Sequence, residues 1–178
     1  MGSLKEAVVR PAVQGAIVSF AASTVKSITE PMLEKAFDRL FPPTPQQLKL
    51  VGADPAGHLD NMPPAVIANE FSEAVYGKPL DKSEKLKAQQ VIHYGFGAVV
   101  GAAYGVATAN CPAIGRGLGI PAGLALYGTT HATLLPLFGV QQPPWKMPLS
   151  AVCWEATSHA VFGATLEIGL RLLRGRKL

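Results

Sequence analysis

Four helix-length apolar runs alternate with polar breaks along this chain. They cover about residues 11–29, 88–110, 115–137 and 149–171. About twenty residues of helix rise roughly 30 Å, enough to cross the hydrocarbon core of a bilayer. The pattern predicts an all-α integral membrane bundle of four transmembrane helices, a single membrane domain over 1–178. An extramembrane helical insertion fills about 31–87. Its first piece continues the first span as MLEKAFDRLF, with Leu33, Phe37, Leu40 and Phe41 on one stripe and Glu34, Lys35, Asp38 and Arg39 mostly elsewhere. Pro42, Pro43 and Pro45 stop that helix. A second amphipathic helix is expected over 64–76, with Ile67, Phe71 and Val75 at four-residue steps, ended by Gly77-Lys78-Pro79. Asp81, or alternatively Ser83, caps a helix that runs into the second span. The acids of this insertion favour a fold over the mouth of the bundle rather than a surface-bound helix.

The spans are rich in small residues. Gly97, Gly101 and Gly105 recur every four residues and predict a helix-packing seam, the device that lets backbones approach closely in lipid. The GRGLGIPAG opening of the third run resembles a phosphate loop only superficially, because no strand precedes it and no Lys-Ser/Thr pair follows. Trp145 and Lys146 make an interfacial anchor pair.

Composition alone would not place the chain in a membrane, since its 48% hydrophobic content is near the soluble average. The distribution of charge does. No Lys, Arg, Asp or Glu lies between Lys87 and Arg116, nor between Arg116 and Lys146, whereas 15 charged residues fall between Pro31 and Gln90. The net charge of +4 comes with a basic cluster, Arg171, Arg174, Arg176 and Lys177, directly after an apolar helix. That cluster reads as a cytoplasmic anchor rather than a nucleic-acid patch. Four spans put both termini on one side, read as cytoplasmic. Cys111 and Cys153 have no metal spacing, and the first apolar run does not look like a cleavable signal.

The chemistry sits where charge is expensive. Lys26, Glu30, His93, His131, Glu155, His159 and Glu167 form a polar set inside otherwise apolar spans, and such groups face other helices or a wet cavity. Glu155 and His159, like Lys26 and Glu30, are four residues apart and share a helix face. Three uses are open. The set can hydrogen-bond between helices and fix a structural or accessory bundle. It can line a proton- or ion-conducting channel or transporter, since imidazole titrates near neutrality. Or His93, His131, Glu155 and His159 can supply donors for an intramembrane metal ion. No nucleophile–base pair is visible, as Ser158 points away from His159 on a helix, so no enzyme activity and no cofactor are expected. The expected partners are the lipid bilayer and further membrane subunits, in a homo-oligomer or a larger complex, with no nucleic acid.

The ordered set Lys26-xxx-Glu30-Pro, His93 with Tyr104, His131 with Pro136 and Gly139, then Pro143-Pro144, Glu155-xxx-His159, Glu167 and Arg171 resembles YagU-like bacterial inner-membrane proteins. The resemblance covers nearly the whole chain, least well residues 44–87. It implies a multi-span fold in a bacterial inner membrane and a link to acid resistance. It implies no catalytic residues.

Overall fold

A computed structural model describes residues 4–175, and every regular element among them is helical. Arg176 and Lys177 of the basic cluster lie outside the described residues. Five helices carry the fold: α1 (Arg10–Leu40), α2 (Pro63–Tyr76), α3 (Lys82–Asn110), α4 (Ile120–Thr129) and α5 (Leu149–Leu173). A π-helical turn, Lys5–Val9, leads into α1. The first run and the MLEKAFDRLF segment are one helix that passes through Pro31 without a break. Its 31 residues span about 46 Å, more than the roughly 30 Å of a hydrocarbon core. Glu34, Lys35, Asp38 and Arg39 gather at its C-terminal end.

The third run departs from expectation. Its glycine-rich opening is not a span but a tight 3-10 segment, Pro112–Gly119, broken where Arg116 is extended and Gly117 (φ +64°) and Leu118 (φ +55°) turn left-handed. The α4 helix begins only after it. It then widens into a π-turn, Thr130–Leu134, before a last short turn, Leu135–Leu137. Each of the two π-turns ends two residues before a proline, Pro11 and Pro136. A proline cannot donate to the carbonyl four residues back and clashes with it, and a widened turn relieves that clash.

Among the described residues two helices, not four, are long and apolar enough to cross a membrane: α1 with its leading turn, and α3. The α4 helix is interrupted, and α5 carries Glu155, His159 and Glu167. Only 28% of the most apolar stretch of α1, and the same share of α3, is buried. The core helix of a soluble protein would be mostly covered. The exposed side chains of α1 include Val13, Ile17 and Phe20, while Ser19, Ser23 and Lys26 are buried. This polarity is the reverse of a water-soluble helix.

The chain divides into two compact units, each drawing stretches from α1, α3, α4 and α5. The first comprises Met1–Ile28, Tyr94–Leu126 and Ser158–Leu178. Its helices meet through glycines. A Cβ at Gly101 would strike the Gly15 carbonyl and Ser19, one at Gly105 would strike the Pro11 carbonyl, and one at Gly97 would crowd the Ser23 hydroxyl 2.5 Å away. The same holds between α4 and α5, where Gly123 lies against the His159 carbonyl and Gly163 against the Gly119 carbonyl. Ala22, Phe162, Leu166 and Leu170 fill the remaining core, with Val18, Val100, Tyr104 and Leu126 around them.

The second unit comprises Thr29–His93 and Tyr127–Thr157. Fully buried Trp154 packs with Ala53, Met62, Met147 and Ala151, and Leu33 and Phe37 of α1 lie against this cluster. Leu40 and Phe41, expected on the same stripe, are exposed, while Glu34 is buried. Gly77 (φ +69°) ends α2 in the left-handed conformation that favours glycine. Asp81 is the cap of α3: its carboxylate accepts from the Glu84 N–H, and Glu84 accepts from the Asp81 N–H, both at 2.9 Å. The Ile67, Phe71 and Val75 face of α2 is not turned inward; all three are exposed.

If backbone contact holds α1 to α3, Gly101→Val should cost about 1–3 kcal/mol or prevent folding, the range for overpacking. Gly95→Ala, on the same helix with nothing within 4 Å of its added Cβ, should be neutral or slightly stabilising. Thermal unfolding of the two detergent-solubilised variants separates these outcomes.

Candidate functional site

The π-turn of α4 places His131 between two oxygens. Its Nδ1 lies 3.1 Å from Gln141 Oε1, and its Nε2 lies 3.5 Å from Glu155 Oε1. The side chains of His131 and Glu155 are 15% and 5% exposed, so water screens this pair little. Tyr127, one turn earlier, stacks on the imidazole with the rings 8° from parallel. A neutral imidazole has a single N–H, yet an oxygen faces each ring nitrogen. Which ring nitrogen carries the hydrogen is set by these two neighbours together. His159 follows Glu155 by one turn of α5 and is buried.

Glu167 belongs to a different arrangement, in the first unit. Tyr104 Oη donates to its Oε2 at 2.9 Å, and Arg171 Nε donates to its Oε1 at 2.7 Å. Arg171 Nη2 also donates to the Gly115 carbonyl at 2.8 Å. Gly115 has no room for a side chain, because a Cβ there would meet the Glu167 carboxylate. Arg174 donates to the Gly105 carbonyl at 2.8 Å and to Thr108 Oγ1 at 3.0 Å. Two of the arginines expected only as a membrane anchor thus tie α5 to its neighbours. Glu167 and Arg171 stand at i and i+4 in the favourable order, acid first. A carboxylate satisfied by a guanidinium and a phenol is a structural element rather than a reactive one.

The remaining members of the sequence-derived set are distributed as follows. Lys26 is buried in the first unit; Glu30 and His93 are half-buried in the second. Gly97, Gly101 and Gly105 line the α1 contact described above. His58 is exposed, with its Nδ1 2.7 Å from Asp54 Oδ2. Cys111 and Cys153 are both free thiols.

Two participants escaped the sequence reading. Gln141 sits in a proline-rich loop where no periodicity flags it. Glu34 had a signal: Lys26, Glu30 and Glu34 follow one another at four-residue steps on one face of α1. It is buried, accepts a hydrogen bond from the Ala56 backbone and shares another with the Asp54 carboxyl. Asp54 accepts in turn from the Gly57 N–H at 2.6 Å. Burial above all, and then the neighbouring Asp54 and Asp38 carboxylates, raise the Glu34 pKa from 4.5 to about 7, against the lowering effect of the Ala56 hydrogen bond.

Fold and site together define a class: an all-helical protein with two helices fit to cross a membrane and acids and imidazoles buried among apolar side chains. The sequence model of the family described as "Protein of unknown function (DUF1440)" matches residues 32–168. The chain belongs to that family. No curated protein and no solved structure matches it.

Because the folded pKa of Glu34 is raised, the folded state holds a proton between pH 4.5 and about 7 that the unfolded state has released. Stability contributed here is present below that window and falls as pH rises through it. Denaturation midpoints followed across pH 4–8 should decline over this range in the wild type, and Glu34→Gln should flatten the decline.

Proposed function

We propose that this chain is a four-span protein of the bacterial inner membrane, with both termini cytoplasmic. Its buried His/Glu site holds and releases a proton, in a structural or accessory role tied to acid stress. The spans are α1, α3, α4 with its extensions, and α5, and the polar segment between α1 and α3 is extramembrane. Support for the membrane comes from the reversed polarity: large apolar side chains outside, serines, threonines and charges inside, the arrangement lipid demands. Support for the assignment to a bacterial inner membrane and to acid stress is the resemblance to YagU-like proteins.

The observation that carries the proton reading is the His131 ring held between Gln141 and Glu155. Histidine is the side chain type used as a switch within about pH 5–8, and here one is held against a buried carboxylate. In a membrane interior, gain or loss of one charge alters which helix contacts are tolerable. The same pair can therefore bias the packing of the bundle, and of any subunit docked on it, according to pH. Lys26, Glu30, His93 and His159 are the further members of this polar interior.

A second reading rests on the donors. Glu155 and His159 on one face of α5, with His131 beside Glu155, have the nitrogen and oxygen chemistry that suits zinc.

The test is a pH titration of the purified protein in nanodiscs, followed by tryptophan emission, since Trp154 adjoins Glu155 in sequence. One transition between about pH 5 and 8, absent in both His131→Gln and Glu155→Gln, is expected. An emission that does not change with pH in the wild type sinks the proposal. In proteoliposomes, a proton flux abolished by Glu155→Gln would instead identify a channel or transporter. Stoichiometric zinc lost in His131→Ala would favour the metal reading.

A further inference from the structure

Within the second unit, α2 and the start of α3 enclose a groove of about 600 Å³. Ile67, Phe71, Tyr76, Leu80 and Ile92 make its apolar walls, and Lys78 lies on its lining. The corner that shapes it is fixed by polar bonds. Ser72 donates to the Lys78 carbonyl at 2.9 Å, the Leu80 N–H donates to Asn69 Oδ1 at 3.0 Å, and the Asp81–Glu84 capping box starts α3. A left-handed Gly77 turns the chain between the two helices. The groove is thus built by the fold, yet its apolar side chains stay open: Phe71 is 61% exposed and Tyr76 69%.

We propose that this groove seats a membrane phospholipid, one acyl chain lying along Ile67, Phe71 and Ile92 and the headgroup phosphate meeting Lys78. The inference rests on the membrane reading above. Two observations choose lipid over other occupants. The groove lining is apolar apart from Ser72, Lys78 and the Tyr76 tip, so it suits a hydrocarbon chain rather than a polar ligand. The charged side chain on the groove lining is a cation, the complement of a phosphate, while Glu73 is held by Asn69 Nδ2 at 2.7 Å. Tyr76, with an apolar ring and a polar tip, is the residue type that settles at headgroup level. The α2 helix is then an interfacial element whose apolar face is satisfied by lipid rather than by protein, which explains why its stripe is not turned inward.

The test uses the full chain in nanodiscs of mixed phosphatidylglycerol and phosphatidylcholine, with a photo-reactive benzoylphenylalanine placed at Phe71 in one variant and at Val99 in another. Mass spectrometry of the adducts gives the readout. Capture of lipid at both positions is expected. At position 71, phosphatidylglycerol should be enriched about fivefold, the worth of one lysine beside an anionic surface, and Lys78→Gln should erase the enrichment. Lipid at 99 with no adduct at 71, or with a second copy of the chain at 71, overturns the groove proposal while leaving the membrane reading intact. Absence of lipid at both positions overturns both. Equal capture of the two lipids at 71 removes the role given to Lys78.

Discussion

Backbone touching backbone is the contact from which the first unit is built. Where Gly15 meets Gly101 and Gly105, and where Gly119 and Gly123 meet Gly163, there is no side chain between the helices to bury. Such contacts gain little from expelling water in an environment that is itself oily; they gain from close fit. The geometry also decides where everything else goes. Bulky side chains such as Ile17 and Val99 lie outside the α1–α3 seam, which is left to glycine, alanine and short hydroxyls, while Phe162, Leu166 and Leu170 of α5 fill the core beside it. Those hydroxyls are satisfied locally: Ser19 donates to the Ala16 carbonyl at 2.7 Å and Thr108 to the Tyr104 carbonyl at 2.9 Å.

Groups too polar for that solution are handled in two ways. Glu167 is neutralised by a guanidinium and fixed by a phenol, so it is held in one state. The His131 ring is flanked by oxygens on both nitrogens, and Glu34 shares a hydrogen bond with another carboxyl. No arginine stands against either group among the contacts described, and for Glu34 burial and the Asp54 carboxylate raise the pKa to about 7.

Much of this was legible in the sequence. The α5 helix, α2 and the cap at Asp81 follow from periodicity, proline and glycine punctuation and capping chemistry, which are local. The seam at Gly97, Gly101 and Gly105 is legible because a four-residue repeat of glycine has few other uses in an apolar helix. The third run was misread at its start, since hydropathy does not register that Gly117 and Leu118 turn left-handed. Gln141 was invisible because its contact with His131 is set by the course of a loop. The outward face of α2 was unreadable for another reason: an amphipathic stripe says that a face is apolar, not what covers it. Glu34 is legible in part, because it continues the four-residue spacing of Lys26 and Glu30 on one helix face.

The α5 helix repeats its polar and close-packed residues at a constant interval: Glu155, His159, Gly163, Glu167 and Arg171. A step of four residues overshoots a 3.6-residue turn by about 40°, so from first to last the series winds through roughly 160°. Its start meets His131, its middle meets the glycines of α4, and its end meets Tyr104 of α3, while Gly169 lies against Val18 of α1. A rod with a spiral of acids, imidazole and backbone contact has no long side suited to acyl chains, and it depends for its cover on the helices packed around it.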